Sequence, residues 1–483
     1  MTRATRASSP LRLGPDELQR LERNLRAAVG RARRIGAPVL GGISLELPAG
    51  LGPAEIACAS RRHEEPWFAF EQPDRGAAAL AGLGAAVVLE ADGEHRFRDV
   101  AERWRELCAR AAVDQPAGPP GAGLVAFGGF AFAPDGARAP HWRGFHPASL
   151  VVPEAAIARA RHDGRERVTL TLTALACPDD LPDELAGRLA GRVEELRIAP
   201  LPLLDPDPAG EFVLASAMPP EHYEHAVARA VELASEGRLE KIVLAREVLV
   251  QAPSPYDPAA VFGVLRSEFP SCFCFCVGRG DATLVAASPE LLLRREGHRV
   301  STLALAGSTR RSADPAVDAH LGEQLLRDPS YREEHAIVAR RIERTLRDHA
   351  IWVTAAPEPQ LVRIANIQHL ATPIRAQLAR PLDVLALAEA MHPTPAVGGE
   401  PLTRAAPLIP ALEGLDRGWY AGPVGWTDAN GDGELCVALR CALLRGAEAR
   451  CYAGNGIVRD SDPARELAET EIKLQALLPL LAG

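Results

Sequence analysis

The stretch RELAETEIKLQALL, residues 465–478, sets Glu466, Glu469 and Lys473 on one arc of a helix. Thr470, Ala476 and Leu477 sit among them, and Leu467, Leu474 and Leu478 form a separate apolar stripe. The simplest reading of the arc is a solvated face, because Glu469 and Lys473 stand in the favourable i,i+4 order for an ion pair. The alternative is a face turned towards something that needs two carboxylates and an ammonium.

Other polar residues also sit where a core is expected. Lys241 opens a β-branched run and shares a face with Val243 and Ala245. It is either a strand-edge lysine reaching water or a partly desolvated lysine suited to act as a general base. Glu290 follows the break Ser288-Pro289 and precedes Leu291 to Leu293, so it is a strand-end glutamate or a buried acid with a raised pKa. Glu334 borders the apolar stripe of Ile337 and Val338 and needs a cation, either Arg341 or a metal. His369 alone reads as a core histidine. The turn HPTPAVGGEP around Ala396, and Gly454 and Gly456 in YAGNGIV, leave room for backbone to approach a ligand closely.

The elements that must position these groups follow from periodicity and breakers. Helical spacing predicts helices over 15–33, 99–112, 221–236, 316–326, 331–349 and 382–391. Strands are expected near 84–90, 124–132 and 167–174, in EKIVLAREVLVQA, and in a hairpin of TLVAASPELLLRRE with HRVSTLALAG turning at Glu296-Gly297-His298. The last third is β-rich and closes on the helix at 465. Hairpins with inserted helices indicate an α+β fold. The proline-rich stretch 198–210 is the best boundary, dividing a more variable part (1–207) from a second part (208–483) packed into the same fold. Residues 1–9 are expected to be disordered. DANGDGEL starts like a calcium loop, but Leu439 stands where the bidentate glutamate belongs, so it reads as a hairpin turn. In SCFCFCV, Cys272, Cys274 and Cys276 alternate with Phe273 and Phe275, which predicts a buried strand with reduced thiols rather than a metal site.

Bulk properties narrow the function. An apolar share of 47% with 24% charged residues is that of a globular protein, and a net charge of −9 argues against a nucleic-acid partner. The uncharged run of residues 76–89 is too short and glycine-rich to span a bilayer, and no secretory signal is visible, so the expected setting is cytoplasmic. An acidic protein that binds an anion must gather cations, or a metal, at one place.

In chain order, the segments KIVLAREV, ASPELLLRREG, TLALAGSTRR, EEHAIVARRIE, QHLATPI, HPTPAVGGEP, RGWYAGPVGW, VALRCALL, YAGNGIVRDSDP and ELAETEIKL resemble the chorismate-utilising enzymes, which include isochorismate, salicylate, anthranilate and aminodeoxychorismate synthases. The match runs from about residue 220 to 483, with a looser one in PWFAFEQPDRGAAALAGLGAA. The resemblance implies large mixed and antiparallel sheets in a sandwich-like core flanked by helices. It also implies that Lys241 activates water for attack on ring C2 and that Glu290 protonates the departing C4 hydroxyl. Glu334 and Glu469 match Mg²⁺ ligands, and Glu466 a carboxylate acting through coordinated water. Tyr420, Arg440 and Lys473 match contacts to substrate carboxylates, Gly454 and Gly456 a close backbone approach, and His369 a histidine beside the reacting ring. Gly307 and Ser308 stand where a Gly-Thr pair is usual.

Within the family, Lys241 favours water over ammonia as nucleophile. Ala306 stands where aminodeoxychorismate synthases carry a lysine, and Ala396 where pyruvate-eliminating enzymes carry threonine. The resemblance therefore implies an Mg²⁺-dependent isochorismate synthase acting on chorismate, with no obligatory protein partner. The alternatives are a salicylate synthase, an ammonia-using synthase subunit and a non-catalytic chorismate-binding regulator.

Overall fold

The alternation in SCFCFCV sets the layer order of the molecule. In the computed structural model, which describes residues 11–482 apart from 76–77, 115, 117–120, 163, 207 and 365–366, Phe273 and Phe275 face a core between two sheets. Cys272, Cys274 and Cys276 face a second core under helices Pro15–Ile35, Pro53–Ser60, Pro182–Glu195 and Pro258–Glu268. Their thiols are free, and burial pushes those of Cys274 and Cys276 well above the usual range. The expectation for residues 1–9 lies outside the described residues.

The first sheet runs Val213–Ser216, Lys241–Gln251, Glu448–Ile457, Cys441–Arg445, Ala282–Ser288, Phe273–Arg279, Trp67–Glu71, Ala79–Leu83, Ala155–His162, Arg165–Ala176, Val39–Leu47 and Ala112–Val113. The second runs Ala350–Ala355, Ile367–Leu378, Arg299–Arg310, Leu291–Glu296, Gly433–Val437, Pro423–Asp428, Val125–Phe130, Ala148–Val152 and Val87–Ala91. Pairing is antiparallel except between Val39–Leu47 and Ala112–Val113. Both sheets draw strands from either side of residue 207. Phe68 of one sheet stacks on Phe127 of the other at 4.5 Å between ring centroids, a contact worth about 1 kcal/mol beyond the area it buries. No helix among the described residues is long and apolar enough to cross a membrane.

The expected hairpin needs one correction. TLVAASPELLLRRE is not a single arm: Ala282–Ser288 belongs to the first sheet and Leu291–Glu296 to the second, and only the latter pairs with Arg299–Arg310. Pro289 has no N–H to continue a ladder, so the chain leaves one sheet there and enters the other. A second crossing runs beside it in the opposite sense. Gly433–Val437 in the second sheet passes through Ala438, Leu439 and Arg440 into Cys441–Arg445 of the first. The two crossings are laced together by Val437 N–H to Glu290 O at 3.0 Å, Ala287 N–H to Arg440 O at 3.2 Å and Ser288 Oγ to Val437 O at 2.5 Å. Glu290 and Arg440 therefore sit side by side where the sheets exchange strands.

DANGDGEL is the hairpin turn between Pro423–Asp428 and Gly433–Val437. The carboxylate of Asp428 accepts the N–H groups of Asn430 and Asp432 at 2.8 and 3.0 Å, so it braces the turn.

Candidate active site

Every site residue singled out from the sequence lines one cavity of about 570 Å³. Its walls are the strands Lys241–Gln251, Glu448–Ile457 and Arg299–Arg310, the two crossings, and the helices Pro329–Arg347 and Pro463–Leu474.

Lys241 is 1% exposed, which overturns the reading of a lysine reaching water. Its Nζ lies 2.8 Å from Glu334 Oε1. Glu334 therefore pairs across the cavity and not with Arg341, which reaches Glu400 at 3.2 Å. Gly456 makes the pair possible: a Cβ there would overlap Glu334 Oε1 and Lys241 Cε and lie 2.8 Å from Lys241 Nζ. Gly456→Ala is expected to leave the fold intact, because the overlap is with side-chain ends, and to lower turnover about 100-fold by displacing both groups. Thermal unfolding and single-turnover rates check this, and wild-type turnover would show that the pair has slack. A Cβ at Gly454 would instead lie 2.7 Å from Leu244 O, so that glycine is required by strand packing.

Glu290 is 5% exposed, and burial, opposed by the charge of Lys241, raises its carboxyl to about 8. Arg440 has a left-handed backbone (φ 48°), and burial lowers its pKa. Its Nη2 donates to His369 Nε2 at 2.8 Å, while its buried Nη1 has no partner. Burial, then Arg440 and Lys473, hold His369 well below its ordinary pKa, so the neutral ring accepts from Arg440. His369 thus props the guanidinium. A buried, unpartnered N–H on a fixed guanidinium is suited to a carboxylate.

Gly307 (φ 75°) is the extra residue of a bulge between Ala306 and Ser308, a conformation that favours glycine. The bulge sets Ser308 opposite His369 and lets its hydroxyl donate to Glu469 Oε1 at 2.7 Å. Serine does this as threonine would. The i,i+4 pair of Glu469 and Lys473 does form, at 2.8 Å, but inside the cavity wall. Burial pushes Glu469 up, and Lys473 and Ser308 outweigh it and hold the carboxyl below its ordinary value. Lys473 also donates to Gly454 O at 3.1 Å and Asn455 Oδ1 at 2.7 Å. All three of its N–H groups are thereby engaged within the protein.

With this geometry in place, comparison with known proteins decides the family. The family described as chorismate binding enzyme matches residues 27–482. The chain belongs to the chorismate-binding enzymes. The salicylate biosynthesis isochorismate synthase of Pseudomonas aeruginosa is 37% identical over 466 residues, covering 96% of this chain and 95% of that protein. Isochorismate synthase MenF of Bacillus subtilis is 32% identical over 413 residues, covering 84% and 85%. Among solved structures, the menaquinone-specific isochorismate synthase MenF from Escherichia coli superposes with a TM-score of 0.75 at 25% identity, over 95% of this chain and 100% of that one.

In this chorismate-binding enzyme the donor set suits a hard cation. Burial, then the negative charge of Glu469 and, more weakly, of Glu334, raises Glu466 to about 7. Burial and the same three carboxylates push the Tyr331 hydroxyl to about 12. Three carboxylates that repel one another, in a cavity lined by no thiol, fit a divalent ion taking oxygen ligands. Among the described residues no three such side chains already converge into a metal-holding group.

Several wall residues escaped the sequence reading. Arg417 donates to Val243 O at 2.9 Å, to Val397 O at 2.8 Å and to Glu413, tying the Lys241 strand to the turn that carries Ala396. Tyr452 stacks its ring on that of Tyr420 at 5.1 Å, and burial raises its hydroxyl. Asn455, between the two glycines, bonds to the site helix. A polar side chain inside a buried strand was the available signal for Asn455.

Proposed function

We propose that this chain is an isochorismate synthase, an isomerase that converts chorismate to isochorismate. The observation that carries the reading is the pairing of a buried lysine and a buried, proton-retaining glutamate on the walls of one cavity, beside an arginine with an unpartnered N–H. The names of the full-length relatives support the same reaction. Catalysis is assigned to residues 208–483, where all these groups lie, with residues 1–207 completing the two sheets.

In this reading Arg440, steadied by His369, holds a substrate carboxylate, with Tyr420, Gly307 and Ala396 shaping the ring's bed. Lys241 takes a proton from water as the oxygen bonds to C2. Glu290 gives its proton to the C4 hydroxyl, which leaves as water while the ring double bonds shift, so the atoms of chorismate are conserved. Glu334 stands beside the lysine at 2.8 Å and orients its Nζ. Glu334, Glu469 and Glu466 would hold Mg²⁺, which would supply charge neutralisation for the substrate's carboxylates. The water nucleophile distinguishes this from the ammonia-using synthases, and the absence of pyruvate elimination distinguishes it from salicylate synthase.

Product analysis tests the proposal. Purified protein with chorismate and Mg²⁺ is expected to give isochorismate, with no pyruvate in a lactate dehydrogenase-coupled assay. Stoichiometric salicylate and pyruvate would replace this reading with the salicylate synthase alternative. Chorismate binding without any turnover would favour a regulator.

A further inference from the structure

Between the two glycines of YAGNGIV, Asn455 is 2% exposed and its side-chain amide is fully engaged with the site helix. Its Nδ2 donates to Glu466 Oε2 at 2.9 Å and to Glu466 O at 2.7 Å, and its Oδ1 accepts from Lys473 Nζ at 2.7 Å. The orientation of the amide is dictated by these partners, since an ammonium only donates and a backbone carbonyl only accepts. Glu466 and Lys473 lie two turns apart on Pro463–Leu474, so one amide spans the stretch of helix that carries Glu469 between them. Lys473 in turn holds Glu469 at 2.8 Å. Asn455 contacts neither the reacting ring's bed nor the Lys241–Glu334 pair, because successive residues of its strand point to opposite faces and Gly454 and Gly456 occupy the cavity side.

We propose that Asn455 is a positioning residue that fixes the Glu466 carboxylate, and through Lys473 the Glu469 carboxylate, and so sets the divalent-cation affinity of the site. The proposal rests on the Mg²⁺ reading given above. Outer partners of metal-facing carboxylates orient them, and losing one weakens metal binding by about 10- to 100-fold. Two substitutions divide the amide's roles. Asn455→Ala removes every bond. Asn455→Asp is nearly isosteric, keeps an acceptor for Lys473, and sets an oxygen against Glu466 where an N–H stood.

The test is calorimetric titration of the full chain with Mg²⁺ alone, without substrate, on wild type, N455A and N455D, with thermal unfolding recorded for each. Both variants are expected to bind Mg²⁺ about 10- to 100-fold more weakly. Their deficit in chorismate turnover is expected to shrink as Mg²⁺ is raised, which a merely destabilised fold would not do. Wild-type affinity in both variants overturns the proposal. Wild-type affinity in N455D alone overturns it too, because the Glu466 arm would then carry nothing. A wild-type protein that binds no Mg²⁺ sinks the metal reading itself and this inference with it, whereas wild-type binding with unaltered variants sinks only the inference.

Discussion

Lys241→Ala is expected to lower kcat for isochorismate formation by about 10³- to 10⁴-fold, the upper range for removing a general base. Chorismate should still bind, because the anchoring Arg440 lies in the second crossing and its support His369 on another strand. The substitution leaves Glu334 without its cation, and Glu334 is 13% exposed in the cavity wall, so water can solvate it. The stability cost is therefore expected to fall below the roughly 3–5 kcal/mol typical of breaking a fully buried pair. Single-turnover product formation and chorismate titration of the same sample separate the two effects. A kcat within tenfold of wild type would remove Lys241 from the chemistry.

Glu290→Gln is expected to cost about 10²- to 10⁴-fold in kcat, since an amide has the shape of the acid but no proton to give to the departing hydroxyl. The pH profile carries the sharper test. Burial raises Glu290 from 4.5 to about 8, against the opposing charge of Lys241. The acid form is then present below about 8 and is lost above it, so wild-type kcat/KM should fall in the alkaline limb with a midpoint near 8. The same shift acts on stability. A carboxyl whose folded pKa is raised contributes stability that is fully present below 4.5 and is lost as pH climbs through about 8. The amide of the variant has nothing to ionise, so Glu290→Gln should gain in Tm relative to wild type between about pH 4.5 and pH 8. A wild-type profile flat through pH 9, together with a constant Tm difference, would mean that Glu290 is ionised throughout and cannot be the acid.

Much of the site was legible because its signals are local. Helical spacing alone put Glu466, Glu469 and Lys473 on one arc, and strand alternation alone put Cys274 and Phe275 on opposite faces. Pro289 announced a break, and Gly456 a close approach. The same local rules misassigned partners. Helical neighbours suggested Arg341 for Glu334, yet Lys241, distant in sequence, takes that carboxylate. Helical spacing gave Lys473 only Glu469, yet a strand carbonyl and an amide oxygen also accept from it. Asn455 carried no motif, because its meaning lies in what the neighbouring helix presents to it.

By itself the sequence determined which groups could do chemistry and on which face of which element each stands, because side-chain direction repeats about every 3.6 residues in a helix and every two in a strand. It could not determine what those faces meet. The tertiary structure decided that where the chain crosses twice between the sheets, at Pro289-Glu290 and at Leu439-Arg440, and where Pro463–Leu474 closes over the strands of Lys241 and Gly456. Burial and charge pairing depend on those long-range contacts. They make Glu290 hold its proton, leave one N–H of Arg440 unpartnered, and turn an ordinary i,i+4 ion pair into the wall of a cavity built for chemistry.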